Sequence, residues 1–289
     1  MRAHLVDGTY ELFRAHFSQR PDQTAPDGRD VKATVGVMAT LLALLHDADE
    51  APTHVAVAFD NPMMSFRNDL FAGYKTDEGV DPPLMAQIDL VEEATRALGI
   101  AVWSMADFEA DDAMATGAAR FAGKVDQVRI LTPDKDLGQC IRGRSVVQVD
   151  RARQREIDED GLRTLRGIGP ASIPDWLALV GDTADGIPGL AGFGEKTAQA
   201  VLAHFEHLER IPDDVAGWPK IRGAERLAAT LRDHRDEALL YRTLATVRTD
   251  APITTLDEIA FRGVPRAAFE AFCDQLGVTA LRSRPTRWA

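Results

Sequence analysis

The stretch GDTADGIPGLAGFGEKTA (181–198) sets the reading of the whole chain, because it holds two kinds of phosphate chemistry in one short run. Asp182 and Asp185 lie between Gly181, Gly186 and Pro188, residues that interrupt any long regular element and leave a tight corner able to face a metal. From Gly189 through Gly192 to Gly194, then Glu195, Lys196 and Thr197, the pattern predicts a glycine hairpin opening a helix. Several backbone N–H groups then point one way, an arrangement that grips phosphate without reading bases. Helical stretches are expected on both sides, near 158–166 and 172–180 before the run and near 195–208 and 224–246 after it.

Further upstream the rhythm changes. The runs AHLV (3–6) and HVAVAF (54–59) have strand length and each ends at an aspartate, Asp7 and Asp60. A third run, VRILT (128–132), leads through Pro133 to Asp134, and SVVQV (145–149) predicts a further strand. Between the first three lie helical patterns at about 31–48, 84–98 and 111–121, with Gly99 placed to stop the second. Strands alternating with helices imply a mostly parallel α/β sheet, whose ligand site lies beyond the carboxyl ends of the strands, where Asp7, Asp60 and Asp134 would converge.

Two acidic runs add to this set. FEADDA (108–113) places Glu109, Asp111 and Asp112 at a helix start, and PDKDL (133–137) carries Asp134 and Asp136. Taken singly, such acids have ordinary explanations in the helix dipole and in solvated turns. Together they do not, because two carboxylates about 4 Å apart repel by about 4 kcal/mol at an effective dielectric near 20. A crowd of them needs cations. With no cysteine or histidine at ligand spacing, an all-oxygen site suits Mg2+ or Mn2+. Two such ions about 4 Å apart support in-line displacement at phosphorus, the chemistry of phosphodiester hydrolysis.

Composition sets the outer limits. The chain has 289 residues, 45% of them apolar, enough for one large or two modest domains. No window resembles a membrane span or a signal peptide, and Cys140 and Cys273 have no metal or redox spacing, so a reducing cytoplasmic setting is expected. A net charge of −12 argues at first against a nucleic-acid partner. The objection weakens if many acids are gathered in one cation-filled pocket. The long segment 61–83, with Phe66, Arg67, Phe71, Tyr74 and Lys75, exceeds an ordinary connection, and its mixed aromatic and basic residues suit stacking on bases and holding phosphate. The tail RSRPTRWA (282–289) is basic and expected to be loosely held.

These motifs together resemble the bacterial 5′-nucleases of the flap endonuclease family. The likeness runs through LVDGTYELFRA (5–15), VAFD (57–60), FRNDLFAGYK (66–75), FEADDA (108–113), TPDKDLGQ (132–139) and the run at 181–198. It implies a PIN-like mostly parallel sheet flanked by helices over residues 1–165, with a helical arch insertion at about 61–83. It also implies a helical duplex-binding region at 166–289, with a helix-hairpin-helix (H3TH) motif at about 181–206. Carried over by position, Asp7, Asp60, Glu109 and Asp111 would surround one metal. Asp134, Asp136, Asp182 and Asp185 would surround a second, with Asp111 near both and Asp112 further out, for two or three ions in all. Lys75 would contact the scissile phosphate at the arch base with Tyr74 among the DNA-binding residues, Arg14 and Arg67 would steer the 5′ strand, and Phe13 would stack on a frayed base. Gly189, Gly192, Gly194, Lys196 and Thr197 would clamp duplex backbone, with K+ in the hairpin loop. The implied protein is a monomeric enzyme acting on branched or nicked duplex DNA with a 5′ end and on RNA primers, giving 5′-phosphate products, with no membrane partner. Two positions depart from the family pattern. Glu78 stands where an arginine is common, which predicts a weaker hold on long single-stranded flaps, and Pro133 replaces a glycine. Other readings are a DNA-structure-binding relative with slight nuclease activity and an RNA-directed nuclease.

Overall fold

The computed structural model describes residues 1–289, which form two compact units. The first contains Met1–Ser65, Asp77–Thr132 and Thr249–Ala289, and the second Phe66–Thr76 and Pro133–Arg248.

In the first unit, strands β1 (Arg2–Asp7), β2 (His54–Asp60), β3 (Ala101–Met105) and β4 (Gln127–Leu131) pair in parallel in the order β3-β2-β1-β4. Their near-continuous apolar runs are those of a parallel sheet covered on both faces, and β1 is buried from Ala3 to Asp7. Val6 registers with Val57 on one side and Leu131 on the other, so Asp7 and Asp60 close their strands at the carboxyl end of the sheet. The helices Gly8–His16, Lys32–His46, Ile88–Ala97 and Ala110–Phe121 complete the layers, the second and fourth close to their expected bounds.

The helix expected at 84–98 is two pieces, Pro82–Met85 and Ile88–Ala97. The break falls at Gln87, whose buried side-chain Oε1 accepts hydrogen bonds from the N–H (3.0 Å) and hydroxyl (3.2 Å) of Thr34. Its own N–H turns back to Leu84 O at 2.9 Å, a tightened turn that ends the first piece.

The chain after Thr249 returns to this first unit and extends its core. Ala251 N–H donates to the Thr116 hydroxyl (3.0 Å), Val55 N–H to Ile259 O (2.8 Å), and Phe261 N–H to Thr53 O (2.9 Å). The helix Arg266–Leu276 follows, and the tail expected to be loose is pinned instead. Val264 and Trp288 form a β-bridge, and the Arg266 guanidinium lies 4.0 Å above the Trp288 ring. An aromatic near the end of the chain provides an anchor that its basic neighbours conceal in the sequence.

The second unit is mainly helical. A hairpin of β5 (Val146–Asp150) and antiparallel β6 (Arg155–Ile157) precedes the helices Glu159–Arg166, Ile173–Val180, Glu195–Phe205, Ala224–Asp233 and Arg235–Ala245. Trp176, Leu177, Val201, Leu202, Leu231 and Leu244 are buried together in its core. The stretch Phe66–Thr76 belongs to this unit, whereas the insertion's second limb, from Asp77, belongs to the first.

Candidate metal centre

In the first unit each acid is oriented by a local backbone rule. Asp7 caps the helix Gly8–His16: its Oδ1 accepts from Tyr10 N–H (2.8 Å) and its Oδ2 from the Thr132 hydroxyl (2.8 Å). Asp60 Oδ1 accepts from Ala110 N–H at 2.7 Å, which brings the end of β2 to the start of the helix Ala110–Phe121. Glu109 is the N-cap of that helix. Its Oε1 accepts from the Ser65 hydroxyl (2.8 Å), while Asp112 Oδ2 accepts from its backbone N–H (3.0 Å). Asp112 is fully buried in this capping role, and Asp111 is half-buried on the same first turn.

The second unit brings its own acids together. Ligand oxygens of Asp136, Asp182 and Asp185 all lie within 4.8 Å of one another. Asp134 is exposed and caps the short turn Lys135–Cys140, accepting from Asp136 N–H at 2.9 Å. The corner at 182–187 is closed by paired backbone hydrogen bonds between Asp182 and Ile187, both 2.8 Å, and Asp182 Oδ1 accepts from Ala184 N–H (3.1 Å). Two lysines meet the cluster: Lys75 Nζ lies 2.9 Å from Asp185 Oδ1, and Lys135 Nζ pairs with Asp182 and stands 3.8 Å from Asp136. Burial pushes the Asp136 carboxyl well above the ordinary aspartate range, and Asp134, Asp185 and Asp182 add to the shift against the pull of Lys135. Burial opposes the charge on Lys135, but Asp136, Asp182 and Asp134 prevail and raise it.

This donor set fits a hard divalent ion. Asp136 Oδ1 is wholly buried and accepts no hydrogen bond, its one cationic neighbour being the Lys135 ammonium at 3.8 Å, which leaves the oxygen open to a further ligand. An all-oxygen cage of three carboxylates would satisfy it with Mg2+ or Mn2+.

The glycine hairpin follows. Leu190 N–H returns to Leu179 O (2.8 Å), Phe193 N–H to Leu190 O (3.1 Å), and the helix Glu195–Phe205 starts from Gly194. Thr197 N–H turns back to Gly194 O (3.0 Å), whereas the amides of Glu195 and Lys196 lie ahead of the first intrahelical acceptor; Gly192, Gly194 and Lys196 are exposed beside them, with Gly189 and Thr197 half-buried.

Other expected contact residues differ in their exposure. Phe13 and Arg14 are half-buried, and Arg14 pairs with Glu11. Tyr74 is only 4% exposed. Arg67, expected to steer a strand, is 2% exposed; its Nε donates to Leu244 O (2.8 Å) and its Nη2 to Thr246 O (3.1 Å). Those carbonyls lie at the end of the helix Arg235–Ala245, so Arg67 fastens the stretch Phe66–Thr76 to that helix within the second unit. Sequence reasoning also passed over Ser65, Thr132 and Lys135, which orient or neutralise the acids. Only Lys135, between two site aspartates, carried a signal.

Comparison with known proteins identifies the family and the fold. Residues 2–165 match the model of the 5′-3′ exonuclease N-terminal resolvase-like domain, and residues 168–267 that of the 5′-3′ exonuclease C-terminal SAM fold. This division falls near residue 165, later than the break at Thr132 between the compact units. Among curated relatives, DNA polymerase I of Bacillus caldotenax is 36% identical over 278 residues, covering 94% of this chain and 31% of that protein. DNA polymerase I of Pseudomonas aeruginosa is 37% identical over 267 residues, covering 91% and 29%. The chain thus spans about a third of the length of these relatives. Among solved structures, T5 5′-exonuclease with bound zinc aligns with a TM-score of 0.68 at 18% identity, covering 96% of this chain and 98% of that one. The catalytic core of Rad2 in complex with DNA substrate aligns with a TM-score of 0.59 at 17% identity, covering 97% and 87%. The α/β sheet with flanking helices and the helical second part are the fold of these proteins, and the chain belongs to the 5′-3′ exonuclease family.

Proposed function

We propose that the protein is a divalent-metal-dependent, structure-selective 5′ nuclease that hydrolyses phosphodiesters at DNA flaps, nicks or gaps and at RNA primers during replication and repair. The observation that carries this reading is Asp136 Oδ1, buried without a hydrogen bond and grouped with Asp182 and Asp185, an arrangement suited to a bound divalent cation. Asp7, Asp60, Glu109 and Asp111 would hold one Mg2+ or Mn2+, and Asp134, Asp136, Asp182 and Asp185 would hold a second. When bound, such ions would supply Lewis acidity toward a phosphodiester.

The chain's own residues bind and orient. Thr132, Ser65 and the amides of Tyr10 and Ala110 hold the carboxylates of Asp7, Glu109 and Asp60 in fixed directions. Lys75 is held at Asp185, and its ammonium would contact the scissile phosphate. The hairpin Gly189–Gly194 and the first turn of the following helix would grip the duplex backbone, and the hairpin loop would hold a K+. Phe13 and Arg14 receive the 5′ end. The relatives named as DNA polymerase I and the Rad2 complex with DNA substrate support DNA as the substrate. Products carry 5′-phosphates, and the protein acts as a cytoplasmic monomer.

A 5′-flap oligonucleotide incubated with Mg2+ or Mn2+, beside binding measured in Ca2+, tests the reading. Cleavage at the junction is expected. Binding without cleavage under either metal would replace it with a DNA-structure-binding function, which the acidic stretch around Glu78 favours.

A further inference from the structure

The insertion's second limb, Asp77–Pro83, carries three acids, Asp77, Glu78 and Asp81, and no lysine or arginine. The limb thus brings no cation of its own to nucleic-acid phosphate, and a contact within the protein is a better means of holding it. One is present within the first unit. His16, in the last turn of the helix that starts behind Asp7, meets Asp81 Oδ2 with its Nε2 at 2.8 Å. The His16 side chain is 11% exposed and that of Asp81 43%, so the bond is shielded on the helix side and reached from the limb side. The other ring nitrogen, Nδ1, is buried with no partner, which leaves the bond to Asp81 as the polar contact that sets the ring's orientation. Phe17 packs against the ring edge-on at 4.8 Å.

Asp81 is also a pivot of the backbone. Its carbonyl accepts from Leu84 N–H (2.9 Å) and Met85 N–H (3.1 Å), which starts the helix Pro82–Met85, while Val80 N–H closes a turn onto Asp77 O (3.1 Å). Holding the Asp81 side chain thus holds the exit of the limb.

We propose that His16 is a positioning residue: its hydrogen bond to Asp81 fixes the exit of the insertion on the helix that begins at Asp7, and so sets the preference for free 5′ flaps over nicked duplex. The preference rests on the nuclease reading above, whereas the clamp itself does not. A limb held at this exit offers a single strand one course from Asp77 to Pro83. A released one samples many, and a substrate without a free strand is indifferent to the difference.

Hydrogen exchange of the peptide 76–86, with no DNA or metal present, reads the clamp directly. His16→Ala and Asp81→Ala should each speed exchange there about two- to tenfold, the range expected for losing one hydrogen bond. The double variant should be no faster than the faster single, and His16→Gln, which keeps a donor, should recover part of the protection. In cleavage assays the flap-to-nick ratio should fall by a similar factor while cutting of nicked duplex is kept. Asp81→Ala lies on the exposed side and spares the helix packing, so it decides the matter if His16→Ala is poorly folded. Unchanged exchange in Asp81→Ala, or a speeding spread evenly over the first unit, overturns the clamp. An unchanged flap-to-nick ratio beside faster exchange overturns its role in substrate choice. If no substrate is cut under any metal, the nuclease reading and the substrate preference fail together, and exchange alone decides the clamp.

Discussion

Gly186→Ala is the substitution whose outcome the structure specifies most closely. Gly186 sits at φ +75°, and an added Cβ would come 2.1 Å from Gly73 O, a backbone atom that no rotamer change can move aside. The left-handed conformation costs an alanine roughly 1–2 kcal/mol, and overpacking a tight contact adds about 1–3 kcal/mol, so the total lies at roughly 2–5 kcal/mol. The cheapest relief is for residues 73–75 to back away. That motion breaks the hydrogen bond from Lys75 N–H to Asp185 O (3.0 Å) and draws the Lys75 ammonium off Asp185. Gly79→Ala is the control: φ is +84°, but nothing lies within 4 Å of the new methyl, so it carries the strain without the collision. Urea unfolding followed by circular dichroism and single-turnover cleavage of a 5′ flap in Mg2+ form the assay. Gly186→Ala should lower the unfolding midpoint and slow cleavage as much as Lys75→Ala does, and Gly79→Ala should do neither to that extent. Stability within about 0.5 kcal/mol of the parent, with cleavage still dependent on Lys75, would refute the argument.

Other outcomes follow from the same geometry. Asp136→Asn should raise the melting temperature in EDTA, because it removes a buried carboxylate pressed by burial and by Asp134, Asp185 and Asp182. The same variant should lose the stabilisation that Mn2+ gives the parent, read by a thermal shift with and without the ion. Glu50, paired with His4 and Arg129, has its carboxyl lowered to about 2 although burial pulls the other way. Its folded value lies below the ordinary value of 4.5, so the stability it contributes is present above that pH and lost as pH falls toward about 2. Glu50→Gln should flatten the acid limb of a urea-midpoint profile over that window. Glu78→Arg should improve cutting of long single-stranded flaps over short ones, measured as a ratio of initial rates. Asp134→Asn should remove most cleavage and leave duplex binding in Ca2+ nearly whole.

Much of the framework was legible because it obeys period and punctuation. The apolar runs ending at Asp7 and Asp60 are strands that end there, and the hairpin at 189–194 opens a helix at Glu195. Strand β3, AVWSM at 101–105, escaped notice because it is five residues long and its burial alternates only partly. The return of Thr249–Ala289 to the first unit was also hidden. It rests on backbone hydrogen bonds to Thr53 and Val55, which any residue type can make and no motif marks. For the site, acids were found by type and run, but their orienting partners were not. Ser65 and Thr132 become meaningful only once folding sets their hydroxyls on Glu109 and Asp7. Arg67 shows the converse: its charge suggested an external partner, and the chain uses it on its own carbonyls.

The seat of Arg67 separates two responses to ionic strength. Mobile ions screen charges that water can reach, over about 8 Å at physiological salt, and leave a guanidinium sealed among main-chain oxygens almost untouched. Concentrated salt should therefore weaken any ionic contact of the hairpin's exposed lysine while the 66–76 segment stays anchored to its helix. A protein carried through such a wash would keep that segment's seat intact.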